Sequence, residues 1–223
     1  MKNNFLPERI GVCDRIGKNV LIRGVEPLIG DDNHFAYNEI CQATGIDLKQ
    51  YQLIDVCLID NVGERWAFAP EMRAFGVDPD KEYPKTYWPP YLQAGYDPKK
   101  LIGRTVTTEG ISAIGSMVWW PIEGLPNGQN PTVYLEGPGW NLDGLVGYLM
   151  DLMAQENVQV AVYVHCMVGS DRTGAAHIGY IMKSTGVSLQ KAMDAASKIT
   201  KAPPPRPPDY MNLVQAYAKY LGV

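Results

Sequence analysis

The residues whose types and spacing could do chemistry lie in one run: His165-Cys166-Met167-Val168-Gly169-Ser170-Asp171-Arg172-Thr173-Gly174. An apolar, β-rich stretch over 158–165 (VQVAVYVH) leads into it, and an amphipathic stretch over 173–184 leads out. A loop between strand and helix lies at the C-terminal end of a strand, where α/β sheets place ligands. The helix that follows aims its N-terminus and free N–H groups at the loop, which favours an anion. Gly169 lets the backbone curl so that successive N–H groups converge. Arg172 adds a planar fork that fits two oxygens of a phosphate. In that field Cys166 is expected to be a thiolate at neutral pH, a nucleophile aimed at a bound phosphorus atom. The run is not a Walker A loop, because it lacks Gly-Lys-Ser/Thr after four residues.

The run resembles the active-site loop of the cysteine-based protein tyrosine phosphatase superfamily, His-Cys-x5-Arg-Ser/Thr. His165, Cys166, Gly169, Arg172 and Thr173 match every fixed position, with Gly174 beyond. The stretches 50–61 (QYQLIDVCLIDN) and 119–126 (WWPIEGLP) precede it in the order used by dual-specificity phosphatases, including the tensin-like branch. Two departures stand out. The "GKDRTG" subgroup, many of whose members act on phosphoinositides, inositol phosphates or phosphotyrosine, carries Lys where this chain has Ser170. The family's general-acid Asp is replaced, in Trp120-Pro121-Ile122-Glu123-Gly124, by Gly at or near its position with Glu beside it.

The resemblance implies roles. Cys166 attacks, and Arg172 with the backbone N–H groups of Met167, Val168, Gly169, Ser170, Asp171 and Arg172 binds the phosphoryl oxygens. Thr173 helps the sulfur leave, and His165 orients the loop. Glu123 is the first candidate for the general acid. Asp171 is the second, since myotubularin-type enzymes look to use an aspartate inside this loop. Glu136, Asp78, Asp80 and Asp97 are outsiders. By resemblance to tensin-type phosphatases, Cys57 lies near Cys166 and is a candidate partner for a reversible disulfide; the alternative is a small buried apolar residue.

The elements that must position these groups alternate. Strands are expected over 19–24, 51–59, 117–122 and 158–165. Helices are expected over 35–44 (stopping at Gly45), from Asn141 or Asp143 to 155, over 173–184, from Ser188 to about 200, and over 210–221. This predicts one α/β domain over 1–223 with a central, mainly parallel sheet flanked by helices, and the resemblance makes it protein tyrosine phosphatase-like. The stretch 60–113, rich in proline and aromatics (Trp66, Phe68, Tyr83, Tyr87, Trp88, Tyr91, Tyr96) and weak in periodicity, reads as an insertion with some structure of its own. Pro203-Pro204-Pro205-Arg206-Pro207-Pro208 reads as a stiff connector, with Arg206 placed to hold a loop near the site; the alternative is a polyproline ligand for an SH3-type partner. Gly137-Pro138-Gly139 reads as a turn.

Composition bounds the rest. The chain has 223 residues, 46% hydrophobic and 20% charged, which is ordinary globular usage and excludes disorder throughout. A net charge of −4 disfavours a broad grip on nucleic acid or anionic lipid. No apolar run is long enough to span a membrane, and 1–7 lacks the apolar core of a secretory signal. Cys13, Cys41, Cys57 and Cys166 are widely spaced, without C-x-x-C, and with only three histidines no zinc site or other metal is expected. The cysteines read as reduced thiols, so a cytoplasmic location is expected. No cofactor is expected. The expected partners are a phosphorylated protein or a small phosphate ester, with phosphate or another oxyanion in the loop. Phosphotyrosine or dual-specificity protein substrates lead. Inositol phosphates or phosphoinositides follow, with a local patch from Lys85, Lys99, Lys100 and Arg104 in their favour. A catalytically weak phospho-ligand-binding module is the alternative of another class.

Overall fold

The computed structural model describes residues 5–30, 34–60, 63–82, 97, 99–108, 111–137, 141–206 and 208–223. In chain order the elements are β1 (Gly11–Ile16), β2 (Asn19–Val25), β3 (Leu28–Ile29), β4 (His34–Phe35), α1 (Tyr37–Thr44), β5 (Gln52–Cys57), α2 (Arg65–Ala74), α3 (Pro79–Glu82), β6 (Thr105–Thr108), β7 (Ile111–Trp119), α4 (Pro131–Leu135), α5 (Leu142–Met153), β8 (Val160–Cys166), α6 (Asp171–Thr185), α7 (Leu189–Ser197) and α8 (Asp209–Leu221). Short 3-10 turns cover Pro7–Arg9 and Leu48–Gln50.

Six strands form one sheet in the order β1-β2-β8-β5-β7-β6. The four inner strands run parallel, and β1 and β6 close the edges as antiparallel partners. Every residue of β2 and β8 is buried, as a strand covered on both faces requires. On one face Val118, Val162 and Val164 pack with Leu145 and Leu149 of α5, Ile178 of α6 and Leu213 of α8. On the other, Leu53, Trp119 and Tyr163 pack with Tyr37 and Ile40 of α1 and Phe68 and Met72 of α2. The period of two along each strand fixes which side chains face which layer. Among the described residues no helix is long and apolar enough to cross a membrane.

The expected alternation is present, with shifted boundaries. The first helix begins at Tyr37, because Phe35 pairs with Leu28 between β3 and β4; it stops at Gly45, whose φ of +68° suits a residue without a Cβ. Of the two candidate caps for α5, Asn141 does the work: its Oδ1 accepts from the Gly144 N–H at 2.6 Å. The strand expected over 117–122 ends at Trp119 and begins at Ile111, where it leaves the 60–113 stretch to pair with β6. That stretch also supplies α2 and α3. Its Phe68 is buried and its Trp66 is 50% exposed, whereas Tyr83, Lys85, Tyr87, Trp88, Tyr91 and Tyr96 lie outside the described residues. Pro138 and Gly139, and Pro207, lie outside them too.

Candidate active site

Chain crossing sets the site. β8 is flanked on both sides by parallel strands, so its C-terminal end opens at the centre of the sheet edge, and the chain turns there through 167–170 into α6. The turn needs Gly169. Its φ is +68°, and a Cβ would stand 2.7 Å from the Gly24 carbonyl oxygen.

The carbonyls of the loop are tied outward. Met167 O accepts from the Glu26 N–H at 3.3 Å. Val168 O accepts from Arg9 Nη1 at 2.7 Å, and Gly169 O accepts from Arg23 Nη2 at 2.5 Å. In a trans peptide the C=O and the next N–H point opposite ways. Holding these carbonyls from behind therefore turns the following N–H groups toward the sulfur side. Arg9 Nη1 also donates to Ser170 Oγ at 3.4 Å, so a distant turn brings a cation beside the position where the sequence lacks one.

Cys166 is 2% exposed. Burial alone would push its thiol up. The Arg172 charge, the Thr173 hydroxyl and the N–H groups of Thr173 and Val168 outweigh that and hold it below its ordinary value. The Thr173 hydroxyl also lies 3.4 Å from the Gly24 carbonyl. It has one proton to give, and the charged sulfur is the stronger acceptor.

Arg172 is clamped by Glu64, the residue that opens α2. Its Nη2 donates to Glu64 Oε1 at 2.6 Å, its Nη1 to Oε2, and Nη1 also donates to the Leu58 carbonyl at 3.0 Å. The fork is thus fixed in its plane before any ligand arrives.

The two candidate acids fare differently. Burial raises the Glu123 carboxyl above its usual range, with the charges of Asp60 and Glu64 adding to the rise and Arg172 opposing it. Its loop is held against α8. Gly124 sits so close to α8 that a Cβ would meet Asp209 Cβ at 2.5 Å. Leu125 N donates to Asp209 O at 2.9 Å, and Asn212 Nδ2 to Leu125 O at 3.1 Å. Asp171 is committed instead to Arg206, accepting at Oδ2 from Nη2 at 2.6 Å and Nε at 2.9 Å, and at Oδ1 from the backbone N–H at 2.9 Å. Such a pair turns Asp171 to the connector. Arg206 thereby does what the sequence suggested, and Pro205 beside it packs on Gly174.

Other candidates are not brought here. Asp80 pairs with Arg65 at 2.7 Å, Lys99 with Asp151 at 3.6 Å and Lys100 with Glu82 at 3.6 Å. Glu136 caps the end of α4, and Asp97 accepts from the Lys99 N–H. Cys57 and Cys166 are not brought together: Cys57 is in register with His165 and shares its face, while Cys166, the next residue, faces the opposite layer. Cys57 Sγ instead donates to Glu71 Oε2 at 3.3 Å, and His165 Nε2 lies 2.9 Å from Glu71 Oε1. The sequence reading missed Glu64, Arg9, Arg23 and Glu71, and also the half-buried Tyr210, whose hydroxyl is raised first by desolvation and also feels Arg172, Glu123 and Cys166.

The chain is similar to solved structures of cysteine-based phosphatases. Among them are PTPMT1 in complex with PI(5)P (16% identity, TM-score 0.49, covering 94% of this chain and 96% of that one), human DUSP28 (12%, 0.47, covering 100% of both) and Tk-PTP in its active form (12%, 0.48, covering 94% and 97%). No protein-family model matches the chain, and no curated protein matches it. Identities of 12–16% with TM-scores below 0.5 say nothing of this chain's own chemistry, which rests on the loop just described.

Proposed function

We propose that this protein hydrolyses phosphomonoesters through a cysteinyl-phosphate intermediate. The observation that carries the reading is the Cys166 thiol, held below its ordinary value although fully buried. The Arg172 charge opposes burial there first and the Thr173 and Val168 donors next, and the same groups suit the equatorial oxygens of a phosphoryl group. Cys166 Sγ attacks phosphorus, the ester oxygen departs with a proton from Glu123, and water then releases phosphate with Glu123 as base. Burial moves the Glu123 carboxyl up and the Arg172 charge with its neighbouring donors moves the Cys166 thiol down, the directions that an acid and a thiolate working together require.

Phosphotyrosine is the first substrate class, since an aryl phosphate needs only one phosphate pocket and a wall. One observation favours a second reading, an inositol phosphate or phosphoinositide: Arg9 stands at Val168 and Ser170, where a second anionic group would meet it. Phosphate release from phosphotyrosine peptides and from inositol polyphosphates, each with wild type and Arg9→Ala, separates them. A rise in KM of about ten-fold confined to the inositol substrates supports the second reading. Release of one phosphate per chain followed by silence on every substrate replaces hydrolysis with phospho-ligand binding.

A further inference from the structure

Directly behind the loop, on the sheet face that Cys166 does not share, four chemically active side chains meet with no exposure to solvent. Asp55 and Cys57 project from alternate positions of β5, His165 stands beside Cys57 on β8, and Glu71 reaches down from α2. Each of the four is 0% exposed.

At Nε2 and Sγ the imidazole and the thiol offer two protons toward the four oxygens of Glu71 and Asp55. His165 Nε2 carries at most one, and it lies 2.9 Å from Glu71 Oε1 and 3.3 Å from Asp55 Oδ1. The Cys57 thiol carries one, directed at Glu71 Oε2. Both donors are spent on Glu71. Among the described residues neither oxygen of Asp55 accepts a well-formed hydrogen bond, the 3.3 Å approach of His165 Nε2 included, and His165 Nδ1 has no partner. A buried carboxylate without donors is a costly object, and removing it from water beside a second carboxylate is costlier still. A cation among these ligands resolves the deficit that the hydrogen bonds leave.

We propose that Cys57, Glu71 and His165, with Asp55 completing the set, bind a divalent metal ion of the zinc type. The sulfur, nitrogen and oxygen donors of the first three all lie within 4.8 Å of one another. A thiolate, an imidazole and carboxylates are the borderline-soft mixture that zinc takes. Bond lengths of about 2.0 Å to nitrogen or oxygen and about 2.3 Å to sulfur give tetrahedral edges of about 3.3 Å and about 3.5 Å. The spacings here are 2.9 Å from His165 Nε2 to Glu71 Oε1, 3.3 Å from the same nitrogen to Asp55 Oδ1, and 3.3 Å from Cys57 Sγ to the other Glu71 oxygen, Oε2. The ligands come from β5, α2 and β8, so the ion is captured as these elements close, and binding releases the Cys57 proton. The residue spacing hides the site from sequence inspection: the ligands stand at 55, 57, 71 and 165 without a paired motif. The ion is structural, with every ligand buried and no face open to substrate; it braces His165, where the phosphate loop begins.

The test is spectroscopic and independent of turnover. The full chain is unfolded in denaturant with chelator, then refolded with reductant and one equivalent of Co(II), its fold checked by circular dichroism. The expected result is the visible absorption of tetrahedral cobalt with a thiolate-to-cobalt charge-transfer band. Both are lost in Cys57→Ser and kept in Cys166→Ser, and Glu71→Gln lowers cobalt affinity at least about ten-fold. Zinc should displace the cobalt and raise Tm over the metal-free chain. The proposal is overturned if the folded wild type shows no such bands. It is overturned equally if the bands survive Cys57→Ser and vanish in Cys166→Ser, which would put the metal on the active-site thiol.

Discussion

Cys166 and Cys57 sit on neighbouring strands, both almost wholly buried, and their thiols move in opposite directions. In the metal-free chain Cys57 is pushed well above its ordinary value, first by burial and then by the Glu71 charge, with His165 pulling only partly the other way. Cys166 suffers the same burial, yet Arg172, Thr173 and the Val168 N–H reverse its effect. Burial makes a thiol inert, and directed donors make it a nucleophile. One sheet carries both outcomes because consecutive positions of β8 face different layers.

The largest test of that contrast is chemical. Cys166→Ser should lower turnover below about a hundredth of wild type while leaving phosphate binding, since the N–H cradle and Arg172 remain. In the wild type, iodoacetamide should alkylate Cys166 and spare Cys57 until the chain is unfolded. The Cys166 rate should hold as pH falls below the ordinary thiol value of about 8.5, because a lowered pKa keeps the thiolate populated there. Labelling of both thiols at one rate, or of neither below that pH, would break the comparison.

Next comes the donor that does most to reverse burial. Arg172→Lys should be nearly as damaging as Arg172→Ala, because an ammonium cannot meet Glu64 and a phosphate with the same plane. Steady-state kcat/KM on one aryl phosphate decides it, and a fully active Lys variant would show that charge alone suffices.

Smaller and more selective is the acid. Glu123→Gln should slow phosphotyrosine hydrolysis about ten-fold to a thousand-fold, and hydrolysis of an activated aryl ester far less. It should remove the alkaline limb of kcat/KM against pH, because the acid works only while protonated. Asp171→Asn, which loosens Arg206 without touching a leaving group, should not discriminate between the two esters. The reverse pattern would move the acid into the loop.

The smallest effect concerns stability. His177, paired with Arg23 behind the loop at 3.2 Å, has its pKa lowered to about 3 by burial and by that charge. Between its unfolded value of about 6.5 and about 3 the unfolded chain binds the extra proton, so stability falls as pH falls through that window. His177→Gln keeps an acceptor for Arg23 and should flatten the dependence, measured by urea midpoints from pH 7 to 4. An unchanged slope would assign the acid sensitivity elsewhere.

The proposed nucleophile was legible because its supports are contiguous: thiol, curling glycine, N–H groups and arginine lie within ten residues. Arg206 was legible too, since a rigid connector must pass the loop. Glu64, Arg9 and Arg23 were not, because they come from separate elements and nothing in their neighbours marks them. The place of Cys57 turned on strand parity: only the register that sets it beside His165 reveals that it faces away from Cys166. Asp55 and Glu71 left a trace, an acid inside the apolar run LIDVC and another on the inner side of α2, but a trace without a motif.

The loop is tied by residues 9, 23, 26, 64 and 206, which span almost the whole chain. The acidity of Cys166 is therefore a property of the assembled fold and of no short stretch of it: its donors sit on a loop whose carbonyls are held by β2 and by the turn at Pro7–Arg9. A chain unfolded by denaturant loses those ties together, and its sulfur returns to the chemistry of a free thiol.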